Sequence, residues 1–355
     1  MRNLFLCISF CLGFMLSSFA SAQEKAKLSD PNSFSMILLP DPQTYNKFDY
    51  NQGIFDLMLG WVSHNMDPLS IKAVLCTGDL VEQNDLLIPG GVNGNQTSTE
   101  MWKNISHSFE RLDQKISYMI STGNHDYGYE SAENRQSQFP DYFPVERNSC
   151  WRTTLVSVCD NAFGRPTLEN AAYEIKSDTW GNLLIICAEF APRDEVLTWA
   201  TNLCNKPVYK SHKVIFLTHS YMKCDGSVIE KESYKVTPAN YGKAIWEKAI
   251  SPCENVKMVI CGHAAAVGGY EKNVAFRVDK NAAGKPVAEM MFNAQSAGGG
   301  WHGNGGEGWL RILEFMPDGK TLKVRTFSPL FAVSPTTQQY AWRNESFDNF
   351  TITIE

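Results

Sequence analysis

Six short apolar runs, each of strand length and each stopping at a polar cluster, punctuate the chain at residues 35–40, 71–76, 116–120, 183–187, 214–217 and 256–261. Runs of this length bounded by turn residues predict buried strands. Between them apolar residues recur at helical spacing: Ile54, Leu57, Met58 and Trp61; Met101, Ile105 and Phe109; Val196, Trp199 and Leu203; Tyr241, Ile245 and Ala249. Strands alternating with amphipathic helices predict a layered α/β fold. Towards the C-terminus, 309–315 and 322–327 flank the turn Pro317-Asp318-Gly319-Lys320. That pattern predicts a β-hairpin, so part of the sheet system is expected to be antiparallel. Residues 127–171, rich in Asn, Ser, Pro and Gly, read as an insertion, and 297–308 as a glycine-rich loop.

Composition changes this picture little. With 355 residues, 43% hydrophobic and 20% charged, the chain can bury a large core. A formal charge of −6 carries no nucleic-acid-binding signature. The first residues add more: Arg2, an apolar run over 4–16 and the small-residue site Ala20-Ser21-Ala22 have the form of a signal peptide over 1–22, cleaved before Gln23. A linker over 23–33 and one domain over 34–355 are expected to follow. Leu6 and Phe10 precede Cys7 and Cys11, which does not suit a lipoprotein signal, and no later run has the ~20 apolar residues of a membrane span. The expected location is therefore secreted or periplasmic, with no transmembrane helix in the mature form. Export makes disulfides possible among the eight remaining cysteines, with Cys150 and Cys159 the best local pair. Cys76, Cys187 and Cys261, inside apolar runs, are as readily buried thiols.

Chemistry gathers where the strands end. Asp41-Pro42-Gln43, Gly78-Asp79, Gly123-Asn124-His125-Asp126, Thr218-His219 and Gly262-His263 each follow a predicted strand. In layered α/β folds ligand sites form at the carboxyl ends of strands, so these distant clusters are expected to converge. Their order resembles the calcineurin-like metallophosphoesterase superfamily, whose motifs run D-x-H, G-D, G-N-H-D/E, a lone H and G-H-x-H. Within it the chain is similar to secreted bacterial members with a D-x-Q variant. The resemblance, over about 35–327, implies a four-layer α/β/β/α sandwich of two mixed sheets flanked by helices.

It also implies a ligand set for one or two divalent ions (Mn, Zn, Fe, Mg or Ca). Asp79 would bridge two metals, and Asn124, His219 and His263 would complete the second site. The first would use Asp41 and Asp79, with Gln43 in place of a histidine. Its last ligand position is Ala265, which cannot coordinate, so the two sites are expected to differ in affinity. His302, in the glycine-rich loop, is a candidate replacement. The activity implied is hydrolysis of phosphate mono- or diesters by metal-activated water, with His125 stabilising charge or protonating the leaving oxygen and Asp126 or Glu82 orienting the network. Ala265 and Gln43 equally suit a catalytically degenerate binding protein, and a third reading is hydrolysis of another bond in glycan or lipid processing. The substrate expected is a phosphorylated small molecule, glycan or lipid, walled by 127–171 and 297–308 and stacked on by Tyr127, Tyr270 or Trp301.

Overall fold

The computed structural model describes residues 26–355. The expected leader, 1–22, lies outside the described residues. Residues 26–33 form no strand or helix and rest on the body of the protein, where the Ser33 hydroxyl donates to Glu314 Oε1 at 2.7 Å.

Thirteen strands form two mixed sheets. The first has the order β13-β12-β11-β1-β2-β3, from Asn349–Thr353, Thr321–Phe327, Leu310–Phe315, Phe34–Leu39, Ile71–Cys76 and Tyr118–Ile120. The second runs β4-β5-β6-β7-β8-β10-β9, from Leu155–Asp160, Pro166–Ile175, Leu183–Cys187, Lys213–Leu217, Val256–Cys261, Pro286–Phe292 and Val274–Lys280. Strands β1, β2 and β3 are mutually parallel, as are β6, β7, β8 and β10. The predicted hairpin is present, with Leu310 opposite Phe327 across β11 and β12.

Alternation along the strands builds the layers. In β6, Leu183, Ile185 and Cys187 join the core between the sheets, while Leu184 and Ile186 face outward into a second apolar cluster. Ile215 and Leu217 divide from Val214 and Phe216 in the same way along β7. Strands buried on both faces lose the polar half of the pattern, which is why they read as continuous apolar runs. Helices Asp194–Asn205 and Gly242–Ile245, the latter continuing as a π-turn over Trp246–Ile250, cover the outer face of the second sheet. Helices Gln52–His64 and Ser98–Glu110 pack on the first. The second of these starts at a capping box in which Thr97 and Glu100 satisfy each other's backbone N–H groups.

Three expectations change. The buried face of Gln52–His64 is Phe55, Met58, Leu59 and Val62, rotated from the predicted stripe because apolar residues lie on both sides of it. Residues 127–171 are not all loop, for they include the helix Trp151–Thr154, β4 and the start of β5. All eight described cysteines are free thiols. Cys150 precedes the helix Trp151–Thr154, whereas Cys159 lies near the far end of the extended β4, whose ~3.3 Å rise per residue carries it away.

Candidate metal centre and active-site cleft

The parallel strands of both sheets point their carboxyl ends at one rim. There β1 delivers Asp41 and Gln43, β2 delivers Asp79, β3 delivers Asn124 and His125, β7 delivers His219, and β8 delivers His263. The turns are tight. A Cβ on Gly262 would lie 2.1 Å from Asp41 Oδ1, and one on Gly123 would lie 2.1 Å from Asp79 Oδ1, so only glycine lets these loops close on the carboxylates. Asp79 and His263 themselves adopt left-handed backbone, φ 50° and 68°, a conformation that non-glycine residues adopt uncommonly and that clusters at functional sites.

Four side-chain atoms converge beneath the cleft. His219 Nε2 lies 3.1 Å from Asp79 Oδ2 and 3.1 Å from Asn124 Oδ1, and His263 Nδ1 lies 2.9 Å from Asn124 Oδ1 and 3.2 Å from His219 Nε2. Their outer contacts fix what faces inward. His219 Nδ1 meets the Thr77 carbonyl at 2.8 Å, and a carbonyl only accepts, so Nδ1 carries the proton. His263 Nε2 likewise donates to Glu232 Oε1 at 2.7 Å. Asn124 turns its Nδ2 to Ser131 Oγ at 2.8 Å, leaving Oδ1 inward. In neutral imidazoles four lone-pair-bearing atoms therefore point at one another, a set that repels itself unless a cation or a proton sits among them.

Electrostatics agree. Burial lowers the His219 pKa, but the carboxylates of Asp79 and Asp41 drive it up to about 10. Burial works against ionised Asp79, yet His219 and His125 hold its carboxyl below the usual range. Asp41, fully buried and beside Asp79, is pushed up to about 6 by desolvation despite the opposing His219. The donor set suits a divalent ion of intermediate hardness at Asp79, Asn124, His219 and His263.

The other half of the expected pair is built differently. Both oxygens of Asp41 accept hydrogen bonds: Oδ1 from Thr77 Oγ1 at 2.5 Å, and Oδ2 from the His263 N–H at 2.8 Å and Asn293 Nδ2 at 2.7 Å. Gln43 turns its Nε2 to Asp79 Oδ2 at 3.0 Å, while its buried Oε1 has no partner. Ala265 offers only a methyl. His302 does not replace the missing ligand: it is exposed on the cleft wall, its ring 6.1 Å from Phe48, whereas the cluster whose ligand atoms lie within 4.8 Å of one another is Asp79, His219 and His263. These residues fit one ion well and do not complete a second set.

His125 stands beside the cluster. Its N–H donates to Asp79 Oδ1 at 3.0 Å and its Nδ1 to the Glu82 carbonyl at 2.5 Å, which leaves Nε2 as its other ring nitrogen. Burial lowers its pKa, but Asp79 and Glu82 raise it above the ordinary value overall. Asp126 ties the two loops together by accepting from Gly123 N and Leu80 N, each at 2.8 Å. Burial and the neighbouring Asp79 carboxylate push its pKa up to about 7.

The cleft above has a volume of about 350 Å³. Its floor includes Gln43, Asp79 and His125, and its walls include Val92, Tyr234, Gln295, Trp301 and His302. Residues 127–171 contribute nothing to this lining, contrary to expectation, and support the site from behind through Ser131. Of the three aromatics singled out in the sequence only Trp301 lines the cleft. Tyr127 is buried on Thr122 and Glu169, and Tyr270 stacks under Arg343. Tyr234, Glu232, Asn293 and Lys47 were not anticipated. Asn293 had a signal, since it follows β10 just as His263 follows β8.

A model of one family, described as calcineurin-like phosphoesterase, matches residues 41–266 and so takes in every cluster just described. The chain belongs to the calcineurin-like phosphoesterase family. Its fold, two mixed sheets flanked by helices, matches that of solved metallophosphatases. A dimetal phosphatase from Danio rerio is similar over 92% of this chain and 100% of its own, with a TM-score of 0.51 and 11% identity. At that identity the likeness is one of fold. A purple acid phosphatase from yellow lupin (Lupinus luteus) seeds is similar over 92% of this chain and 55% of its own, with a TM-score of 0.49 and 12% identity. Among curated proteins, the uncharacterised YvnB of Bacillus subtilis (strain 168) is 25% identical over 303 residues, 83% of this chain. The chain spans only 20% of that relative's length. No helix among the described residues is long and apolar enough to cross a membrane.

Proposed function

We propose that the protein is a metal-dependent phosphoesterase that cleaves phosphate mono- or diesters of a small molecule, glycan or lipid. The observation that carries this reading is the convergence of Asp79 Oδ2, Asn124 Oδ1, His219 Nε2 and His263 Nδ1 on one space, with His125 alongside. A divalent ion held there supplies a lowered water pKa and polarisation of a phosphoryl oxygen. Asp79, Asn124, His219 and His263 would hold it, and Gln43 lines the cleft beside them with Asp41 buried behind. Attack by water oxygen on phosphorus breaks the bond to the leaving oxygen. His125, bonded to Glu82 through Nδ1 and biased towards its protonated form by Asp79 and Glu82, presents Nε2–H to that oxygen. A group in this role typically contributes ~10² to 10⁴ in rate.

The D-x-Q motif and the Arg2 to Ala22 pattern support placing the protein with exported bacterial members, acting on phosphate esters outside the cytoplasm. The hydrogen-bonded Asp41 and the methyl of Ala265 favour, as second reading, a binding protein that has lost turnover.

The test is hydrolysis of chromogenic mono- and diesters by protein stripped with chelator and resupplied with Mn²⁺, Zn²⁺ or Mg²⁺. Metal-restored turnover that disappears in Asp79→Ala supports an enzyme. A folded, metal-loaded protein with no turnover on either class sinks the esterase reading in favour of the second.

A further inference from the structure

In the short helix Gln43–Asn46 and its C-terminal residue, Gln43 and Lys47 stand four apart, so their side chains share one face, and that face lines the cleft floor. Lys47 is 1% exposed. A lysine so deeply buried needs a reason, because desolvating an ammonium is costly unless it is paired. Its ion pair is with Glu82, Nζ to Oε1 at 3.1 Å, and the Glu82 carbonyl is the group that orients His125. Among the described residues lining the cleft, Lys47 is the one lysine or arginine. An ammonium has three donors, and the bond to Glu82 uses one. Beside it Gln43 Oε1 is buried without a hydrogen-bond partner, so this corner of the floor holds unused polar capacity.

Gln43, which lines the cleft with Lys47, belongs to the half of the pair that lacks its full ligand set. Asp41 accepts from Thr77, Asn293 and the His263 N–H, Gln43 turns its amide nitrogen to Asp79, and Ala265 coordinates nothing. We propose that the cleft grips a phosphoryl group between a single divalent ion and the ammonium of Lys47, the lysine supplying at the ligand-poor half the positive charge that a second ion would bring. The inference rests on the phosphoesterase reading and adds to it a metal count and a phosphate-binding residue. Charge-assisted bonds from ammonium to phosphate oxygen are among the stronger protein hydrogen bonds. Glu82 then has two duties, holding Lys47 through its carboxylate and His125 through its carbonyl.

Inorganic phosphate and Mn²⁺ are the probes. Metal content per chain is measured by elemental analysis, and phosphate binding to the Mn²⁺-loaded full-length protein by calorimetry, for wild type, Lys47→Met, Lys47→Arg and Ala265→His. The expected result is one tightly held ion in wild type and in both Lys47 variants. Lys47→Met should weaken phosphate binding by ~10- to 100-fold, and Lys47→Arg should recover part of it. Ala265→His should raise the metal content above one. Because Lys47→Met leaves Glu82 unpaired, Lys47→Met with Glu82→Gln serves as the folded control should the single variant unfold, and the same loss of phosphate affinity is expected. Two tightly held ions in wild type, or phosphate affinity unchanged in the folded Met variants, overturn the proposal while leaving esterase turnover intact. Wild type that neither binds phosphate nor turns over overturns the functional reading and this proposal together.

Discussion

Removing the Glu232 carboxylate should loosen the metal without touching any ligand. Glu232 sits on the loop between β7 and the helix Gly242–Ile245, accepting from His263 Nε2 at 2.7 Å through one oxygen and from the Ser220 hydroxyl at 2.6 Å through the other. The first bond keeps the proton of His263 on Nε2 and hence a lone pair on Nδ1, the atom 3.2 Å from His219 Nε2. It also holds the ring, since His263 has strained backbone, φ 68°, and among the described residues no other side chain outside the cluster bonds its imidazole. Burial raises the Glu232 pKa, but His263 and Ser220 bring it below the usual value, so the group is an anion at neutral pH.

Partners of this kind are typically worth 10- to 100-fold in metal affinity. That corresponds to about 1.4–2.7 kcal/mol. Glu232→Ala should lose that amount, read as Zn²⁺ or Mn²⁺ affinity by competition with a chromogenic chelator. Glu232→Gln should lose less: its carbonyl can still accept from Nε2, its amide can donate to the Ser220 oxygen, and only the charge is gone. The loop stays anchored in either case, because Ile229, Val236 and Tyr241 pack with Tyr127 and Phe190, and Arg135 donates to the carbonyls of Ala191 and Pro238. An alanine variant that keeps its melting temperature and its wild-type metal affinity would refute the tautomer argument.

Four more outcomes are expected. The metal-free protein should lose melting temperature as pH rises from about 7 to 10: the His219 pKa, raised in the folded state from 6.5 to about 10, gives stability that is full below 6.5 and gone above 10, while metal-loaded protein should show little of this slope. Over the same window metal affinity should climb by up to about tenfold per pH unit, because binding must displace the His219 proton, and a flat titration would contradict this. Asn293→Leu removes one donor to Asp41 and one to the His263 carbonyl; it should cost ~1–3 kcal/mol in denaturant melts. Gly262→Ala, whose methyl would collide with Asp41, should give a protein that folds poorly or binds no metal, whereas Gly53→Ala, with open space around it, should be tolerated.

Much of the centre was legible because each of its parts ends a buried strand. An apolar run followed by Gly-Asp or Gly-Asn-His-Asp can be recognised locally, and parallel topology then brings the parts together without further information from the sequence. Residues that act from irregular segments carry no such mark. Glu232 lies between Lys231 and Ser233 in a polar stretch that reads as a solvated loop, and Lys47 looks like any surface lysine until the helix that bears it is seen to be buried. Two of the strands missed lie at the edges of the second sheet. In β9 residues alternate between a partly covered and an exposed face, as suits an edge strand, and β4 hides in a segment whose composition is that of a loop.

This division also bears on how a ligand set can erode. Asp79, Asn124, His219 and His263 are each held twice, by facing one another across one space and by outer contacts to Gln43, Ser131, Thr77 and Glu232 that lose their partner when the side chain is removed. Asp41 is different. With Thr77, Asn293 and the His263 N–H donating to its two oxygens, it is hydrogen-bonded independently of any ion, and it pins the loop of His263 at the strand end. Once a carboxylate is held that way, a neighbouring position such as Ala265 is free of any demand to coordinate. It follows that Asp41→Asn should act on His263 placement: Asn can accept from the His263 N–H and Asn293 Nδ2 through its oxygen only by turning its amide nitrogen to Thr77, whose hydroxyl must then accept instead of donate. The variant should therefore weaken binding of the remaining ion several-fold while metal stoichiometry stays at one, and a variant whose stoichiometry falls by a whole ion would show instead that Asp41 is itself a ligand.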